Sequence, residues 1–115
     1  MAQLLDDVTK AALLANGEKT KAGIDHDPFP VVKLFTPDAG ATWLLSELDP
    51  DDPDIAFGLC DLGLGYPELG TVSIADLESV RGRLGLPVER DRAFMADKSL
   101  SAYADAAIDA GAIRT

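Results

Sequence analysis

The stretch FPVVKLFTPDAGATWLLSELDPDDPDIAFGLCDLGLGYPELGTV, residues 29–72, decides the fold of this 115-residue chain. Short segments rich in β-branched and aromatic residues alternate there with turn residues, a pattern typical of consecutive strands. The predicted strands cover residues 29–35, 41–48, 55–62 and 69–72. The segment DPDDPD between two of them is expected to be irregular, because its prolines break regular structure and its carboxylates repel one another. Strands joined by short turns pair antiparallel, so the stretch predicts a meander with an apolar face that helices must cover.

An amphipathic helix is predicted before these strands. Residues 3–15 place apolar side chains at intervals of three and four residues, which is the helical period. Asn16 and Gly17 both tolerate left-handed backbone, so we expect them to end this helix. The polar residues 18–27 are then expected to form a loop.

Further helices and an edge strand are predicted after the meander. Ser73 can cap a helix over residues 74–84 and Ser99 a helix over residues 100–110, because a serine hydroxyl accepts hydrogen bonds from N–H groups of the first turn. The alternating charges of residues 86–93 suit a solvent-facing edge strand. The expected fold is α+β: a small antiparallel sheet of three to five strands in a meander, covered by two or three helices, in a single domain.

Charge is distributed unevenly along the chain, whose formal net charge is −10. Residues 25–78 hold twelve acidic side chains and one basic one, Lys33, whereas residues 79–98 hold five basic and three acidic side chains. Nucleic-acid affinity rests on Lys and Arg side chains that neutralise phosphates, so direct nucleic-acid binding is not expected. We expect a basic protein partner instead, and the alternative is that the charge serves solubility alone.

Cysteine content and hydropathy bear on the cellular compartment. The one cysteine, Cys60, cannot form an internal disulfide, which favours a reducing compartment. The N-terminal residues lack the basic start and the unbroken apolar run of a signal peptide. No apolar run approaches the roughly 20 residues that span a bilayer. We therefore expect a cytoplasmic protein without a membrane segment.

The segment GLCDLGLGYPELG, residues 58–70, is the candidate site because its glycines would let a backbone approach a ligand closely. Gly65 and Gly70 have the spacing of a phosphate-binding loop, but Thr71 stands where that loop requires lysine. A dinucleotide fingerprint is excluded as well, because Glu68 stands where its third glycine belongs. The candidate binding residues are Cys60, Asp61, Gly63, Gly65, Tyr66 and Glu68.

Asp61 and Glu68 flank the turn in this segment, where a carboxylate pair could share a proton or hold a metal. The alternative is a hairpin whose acids accept backbone hydrogen bonds. His26 could serve Cys60 as a base, but the surrounding acids oppose the thiolate that a nucleophilic cysteine needs. One cysteine and one histidine fall short of a zinc ligand set, and residues 49–60 lack the glycine and glutamate of an EF-hand. We therefore predict no metal, no cofactor and no catalytic residue.

Three blocks of the sequence carry a family resemblance. The segments VVKLFTPDAGATWLLSELDPDDPDIAFGLCDLGLGYPELG, LESVRGRLGLPVERD and ADKSLSAYA resemble the bacterial family catalogued as domain of unknown function 2958. The resemblance covers roughly residues 4–110. It implies genes that often lie on plasmids and integrative elements, and it carries over no activity, catalytic residue or cofactor.

The charge distribution and the implied gene setting together lead to a functional expectation. We expect a protein-interaction or regulatory module linked to bacterial mobile elements rather than an enzyme. One alternative is a nucleic-acid mimic that acts against a host defence protein, suggested by the acidic central segment. Another is a small hydrolase that uses Asp61 and Glu68.

Overall fold

A computed structural model of the chain describes residues 4–115, so Gln3, where the first helix was predicted to start, lies outside the described residues. In chain order the elements are α1 (Asp7–Lys21), β1 (Val32–Phe35), β2 (Thr42–Asp49), β3 (Asp52–Asp61), β4 (Glu68–Ser73), α2 (Ile74–Ser79), β5 (Glu89–Arg90) and α3 (Leu100–Ala110). The strands form one antiparallel sheet in the order β4-β3-β2-β1-β5. The predicted α+β fold is confirmed, and β1 to β4 form the expected meander.

Both ends of α1 differ from the prediction. Asp6 precedes the helix, and its Oδ1 accepts a hydrogen bond from the Thr9 N–H at 2.7 Å, which satisfies a donor of the first turn. At the other end Asn16 and Gly17 lie inside the helix, which continues to Lys21. The predicted stop is therefore wrong, and the loop that follows starts later than expected.

Gly17 stays helical because α1 lies directly against the end of β2. A Cβ atom on Gly17 would overlap the carbonyl oxygen of Leu48. Beside it, the Asn16 side-chain amide donates to the Ser46 carbonyl oxygen at 2.9 Å. β1 pairs with β2 only as far as Leu45, so this part of β2 has no strand on that side. The two residues that resemble a helix stop are thus the contacts by which α1 docks onto an unpaired strand edge.

The segment DPDDPD is more regular than predicted. β2 runs to Asp49 and β3 begins at Asp52, so Pro50 and Asp51 alone form the turn between two paired strands. The Asp49 carboxylate accepts a hydrogen bond from the Asp51 N–H at 2.9 Å. Lys21 Nζ lies 2.6 Å from Asp51 Oδ1. These contacts offset the mutual repulsion of the carboxylates, and the prediction of an irregular segment is wrong.

The later helices start where the sequence predicts. The hydroxyls of Ser73 and Ser99 accept hydrogen bonds from N–H groups in the first turns of α2 and α3, at 3.1 and 3.4 Å. α2 ends at Ser79 instead of residue 84, because the backbone at Val80 is extended. α3 ends as predicted at a glycine whose φ is 78°. The predicted edge strand is present as the two-residue β5.

Helices cover both faces of the sheet. We call the face that carries Trp43 and Leu45 the α1 face, since these residues pack in one cluster with side chains from the α1 region and from α2. The opposite face is the α3 face, where Leu44 and Leu59 pack against α3 residues such as Tyr103. Successive strand residues point to opposite faces. Because helices cover both faces, the middle of the sheet is buried on both sides. Within residues 4–115 no helix has the length and apolarity required to cross a membrane.

Candidate functional site

The predicted site residues lie at the turn between β3 and β4. β3 ends at Asp61 and β4 begins at Glu68. Gly63 and Gly65 adopt positive φ values of 79° and 89°, which side-chain-bearing residues rarely adopt, so both serve the turn. The side chain of Tyr66 is exposed. The segment is therefore one loop, and its glycines have a structural reason to be there.

Asp61 holds this loop in place on the α3 face. It is buried, with 3% of its surface exposed. Its Oδ1 accepts a hydrogen bond from the Gly63 N–H at 2.8 Å, and its Oδ2 accepts one from the Ile113 N–H at 3.0 Å. Both carboxylate oxygens therefore bind backbone donors, and Asp61 ties the turn to the segment that follows α3.

Cys60 and Glu68 lie opposite each other on the α1 face. They are partners in the register of β3 and β4, so their side chains share a face, and the adjacent Asp61 points to the other one. Asp61 and Glu68 thus do not converge as the carboxylate pair of a hydrolase would. Burial, and secondarily the negative charge of Glu68, raise the pKa of the Cys60 thiol. The thiol is therefore protonated at neutral pH, which disfavours a nucleophilic role.

A groove on the α3 face, beyond the part of the sheet that α3 covers, is a site that the sequence did not predict. Two cavities of about 430 and 310 Å³ share Thr20, Glu47 and Phe57 and so lie side by side. We call them together the acidic groove. It is lined by Gly17, Thr20, Lys21, Ile24, Asp25, His26, Asp27, Pro28, Ser46, Glu47, Asp49, Pro50, Asp51, Ile55, Ala56, Phe57, Leu69, Thr71, Leu100 and Ser101.

The groove combines an apolar floor with negative charge. Phe57 and Thr71, which are partners in the register of β3 and β4, form part of its floor. Five carboxylates line it, those of Asp25, Asp27, Glu47, Asp49 and Asp51. The one lysine among the lining residues, Lys21, is already paired with Asp51. The groove therefore presents a net negative charge beside apolar surface.

A chain of hydrogen bonds runs through Thr20 at the junction of the two cavities. Its Oγ1 donates to Glu47 Oε1 at 3.2 Å and lies 2.8 Å from His26 Nε2. The hydroxyl also lies within donor distance, 3.4 Å, of the Asn16 carbonyl oxygen, so its one proton has more than one acceptor, and the direction of the contact with His26 depends on the tautomer of the ring. In a hydrolytic triad the imidazole stands between the hydroxyl and the carboxylate. Here the hydroxyl stands in the middle, so the chain positions Glu47 and His26 and does not activate Thr20 as a nucleophile.

The wall of the groove that carries His26 is fixed to α3. Asp27 accepts hydrogen bonds from the Ser101 hydroxyl and, at 3.1 Å, from the Ser101 N–H. The Leu100 N–H donates to the Pro28 carbonyl oxygen at 2.9 Å. The hydrogen bonds from Ser101 lower the pKa of Asp27, so this carboxylate stays ionised at neutral pH. Hydrogen bonds between the loop after α1 and the start of α3 therefore fix this wall of the groove.

None of the six predicted binding residues lines the acidic groove, although Phe57 next to them does. The groove is assembled from the end of α1, the loop after it, three strands and the start of α3, and local sequence patterns do not reveal such an assembly. The one feature of the sequence that indicated an acidic surface was the high acid content of residues 25–78. Across the part of the chain that the structure describes, no three His, Cys, Asp or Glu side chains are placed to hold a metal ion.

Comparison with known proteins gives a family and no activity. The family model described as "Protein of unknown function (DUF2958)" matches residues 4–114. No curated protein and no solved structure matches the chain. A functional conclusion therefore rests on the geometry and the charge of the groove.

Proposed function

Because the chain belongs to the DUF2958 family, whose description names no activity, we propose a function from the groove: the protein is an interaction module that binds a basic segment of a partner protein. The observation that carries this proposal is the set of five carboxylates that line the groove beside its apolar surface. Lys and Arg side chains match such a surface, because their aliphatic stems pack on apolar groups while their charged ends reach carboxylates.

Size and charge narrow the class of partner. The two cavities, of about 430 and 310 Å³, are each large enough to take side chains, since small-molecule sites occupy about 300–1,000 Å³. Phosphate-bearing ligands are repelled by the carboxylates that line them. A basic peptide segment meets both conditions, and its charge would also speed the encounter with the acidic groove.

The two alternative functions have less support. A nucleic-acid mimic has to enter the binding cleft of another protein with protruding carboxylates, whereas these carboxylates line a concave surface. A hydrolase based on Asp61 and Glu68 would need side chains on one face of the sheet, and the register places them on opposite faces. A cytoplasmic location and a link to bacterial mobile elements stay predictions.

Affinity capture from the native host, with the chain as bait and salt varied, tests the proposal. We expect a partner with a Lys- or Arg-rich segment that is released as ionic strength rises, because salt screens such contacts. Binding of that partner is then measured with the groove variant Glu47→Gln/Asp49→Asn, in which both side chains keep their size and an acceptor oxygen. The matched control is Asp105→Asn/Asp109→Asn, an equal change of charge on exposed residues of α3.

The two variants should differ clearly. Loss of two carboxylates from the groove is expected to weaken binding about tenfold or more, since coupled charge pairs at interfaces reach about 1.5 kcal/mol and above. The control should stay within about twofold. Equal losses in both variants, or a complex that high salt does not weaken, would contradict a basic partner in the groove.

A further inference from the structure

β4 is an edge strand whose outer side is open. Among residues 4–115 its one strand neighbour is β3, to which it pairs without interruption from Ile55↔Ser73 to Cys60↔Glu68. An open edge presents unpaired N–H and C=O groups, and proteins commonly protect such edges with charges, prolines or bulges. β4 carries one charge, at its first residue Glu68, and residues 69–72, Leu-Gly-Thr-Val, contain neither a charge nor a proline. The other edge of the sheet differs, since β5 has two residues and both are charged.

This open edge borders the acidic groove. Leu69 and Thr71 line the groove and are both exposed. They are register partners of Leu59 and Phe57, so they lie on the α3 face. A strand added beside β4 would place every second side chain on this same face, next to Leu69 and Thr71 and directed towards the groove.

Resting on the function proposed above, we propose that the basic partner segment binds as an added β-strand along β4, with Lys or Arg at alternate positions directed into the acidic groove. Backbone hydrogen bonds to the open edge hold the segment in register, and its alternate side chains supply the selectivity for charge. The partner is thus an extended peptide segment, and its basic residues recur every second position.

Strand spacing sets the kind of side chain that fits. Neighbouring strands lie about 4.8 Å apart, so Glu47 on β2 is about 14 Å from a strand added outside β4. A basic side chain directed towards Glu47 lies over Thr71 on β4 and Phe57 on β3, which are register partners and line the groove. The aromatic ring of Phe57 favours Arg over Lys, because a guanidinium interacts well with an aromatic face, and the long aliphatic stem that this path requires excludes short polar side chains.

Selection from a displayed library of random peptides, with the full chain as target, tests both the partner chemistry and the binding mode. We expect selected peptides with Arg or Lys at every second position and β-branched residues between them. Basic residues at spacings of three and four would overturn strand addition and leave the basic partner in place. Selected peptides without enrichment of Arg or Lys would overturn strand addition together with the proposed function.

Backbone methylation of a selected peptide then tests the hydrogen bonds directly. In a paired strand the N–H groups of alternate residues face the neighbouring strand. N-methylation of that set should weaken binding about tenfold per site, and methylation of the other set should leave affinity within about twofold. The outer amides of β4 should also exchange hydrogen more slowly in the complex. Equal effects of the two methylation series, or unchanged exchange in β4, would overturn pairing along this edge.

Discussion

Replacing Gly17 with alanine is expected to destabilise the protein, even though alanine is the better helix former. In an unhindered helix the change would stabilise the fold by about 1 kcal/mol, because glycine loses more backbone freedom on folding. At this position the added methyl group would overlap the carbonyl oxygen of Leu48 and press on its carbonyl carbon. Both are backbone atoms of a paired strand, so they cannot rotate away, and α1 has to move off β2.

The expected loss follows from the contacts that this movement disturbs. Overpacking of this kind costs about 1–3 kcal/mol. The movement also lengthens the hydrogen bond from the Asn16 amide to the Ser46 carbonyl oxygen, now 2.9 Å, which contributes about 1 kcal/mol. Against a gain of about 1 kcal/mol from helix propensity, the free energy of unfolding of Gly17→Ala should be lower by about 1–3 kcal/mol.

Urea denaturation followed by the fluorescence of Trp43, which is buried in the folded state, measures this free energy. Ala15→Gly, at an exposed position of the same helix, serves as the matched control and should cost about 1 kcal/mol through propensity alone. The sign of the change in the free energy of unfolding shows whether overpacking or helix propensity dominates at Gly17. If Gly17→Ala unfolds at a higher urea concentration than the wild type, α1 does not lie against β2 as described.

Three further predictions concern carboxylates and the thiol. Asp61→Ala should lower the free energy of unfolding by about 2–3 kcal/mol, since it leaves two backbone donors without partners. Glu68→Gln should change the same free energy by less than about 0.5 kcal/mol. Similar losses for the two variants in urea denaturation would contradict the separate roles of Asp61 and Glu68. The pKa of Asp27 is lowered in the folded state, so its contribution is present above the unfolded pKa near 4 and is lost as the pH falls through the folded value. Ser101→Ala should therefore raise that pKa in an NMR carboxyl titration, and an unchanged value would argue against the hydrogen bond from the Ser101 hydroxyl. Glu68→Gln should also lower the pKa of the Cys60 thiol, although burial, its larger cause, remains; a pH series of thiol modification rates that shows no shift would exclude this influence.

The sequence predicted those elements that local contacts determine. Ser73 and Ser99 cap their helices through donors three residues further on, and such contacts can be read from neighbouring residues. The length of α1 depends instead on Gly17, whose neighbour in space is Leu48. Turn propensity favoured a stop at that position, and tertiary packing overrode it. Helix ends that rest on long-range contacts are therefore the part of this fold that pattern analysis could not supply.

For the candidate site, too, one part could be predicted from the sequence and another could not. The acid content of residues 25–78 pointed to a negative surface, and the described groove is acidic. Its position could not be predicted, because Thr20, His26 and Glu47 meet across three elements. The glycine-rich turn drew attention for its composition, yet its glycines serve backbone conformation and its Asp61 binds backbone donors. Composition thus indicated the charge of the groove but not the residues that build it.

The docking of α1 against the end of β2 has a consequence for aggregation. Residues 46–49 form a strand segment that β1 does not pair, and α1 occupies the space in which another chain could align with it. A helix that shields a strand edge in this way guards against edge-to-edge association, which leads to intermolecular sheets. Substitutions that loosen α1 are therefore expected to lower solubility as well as stability, because they would uncover this strand segment.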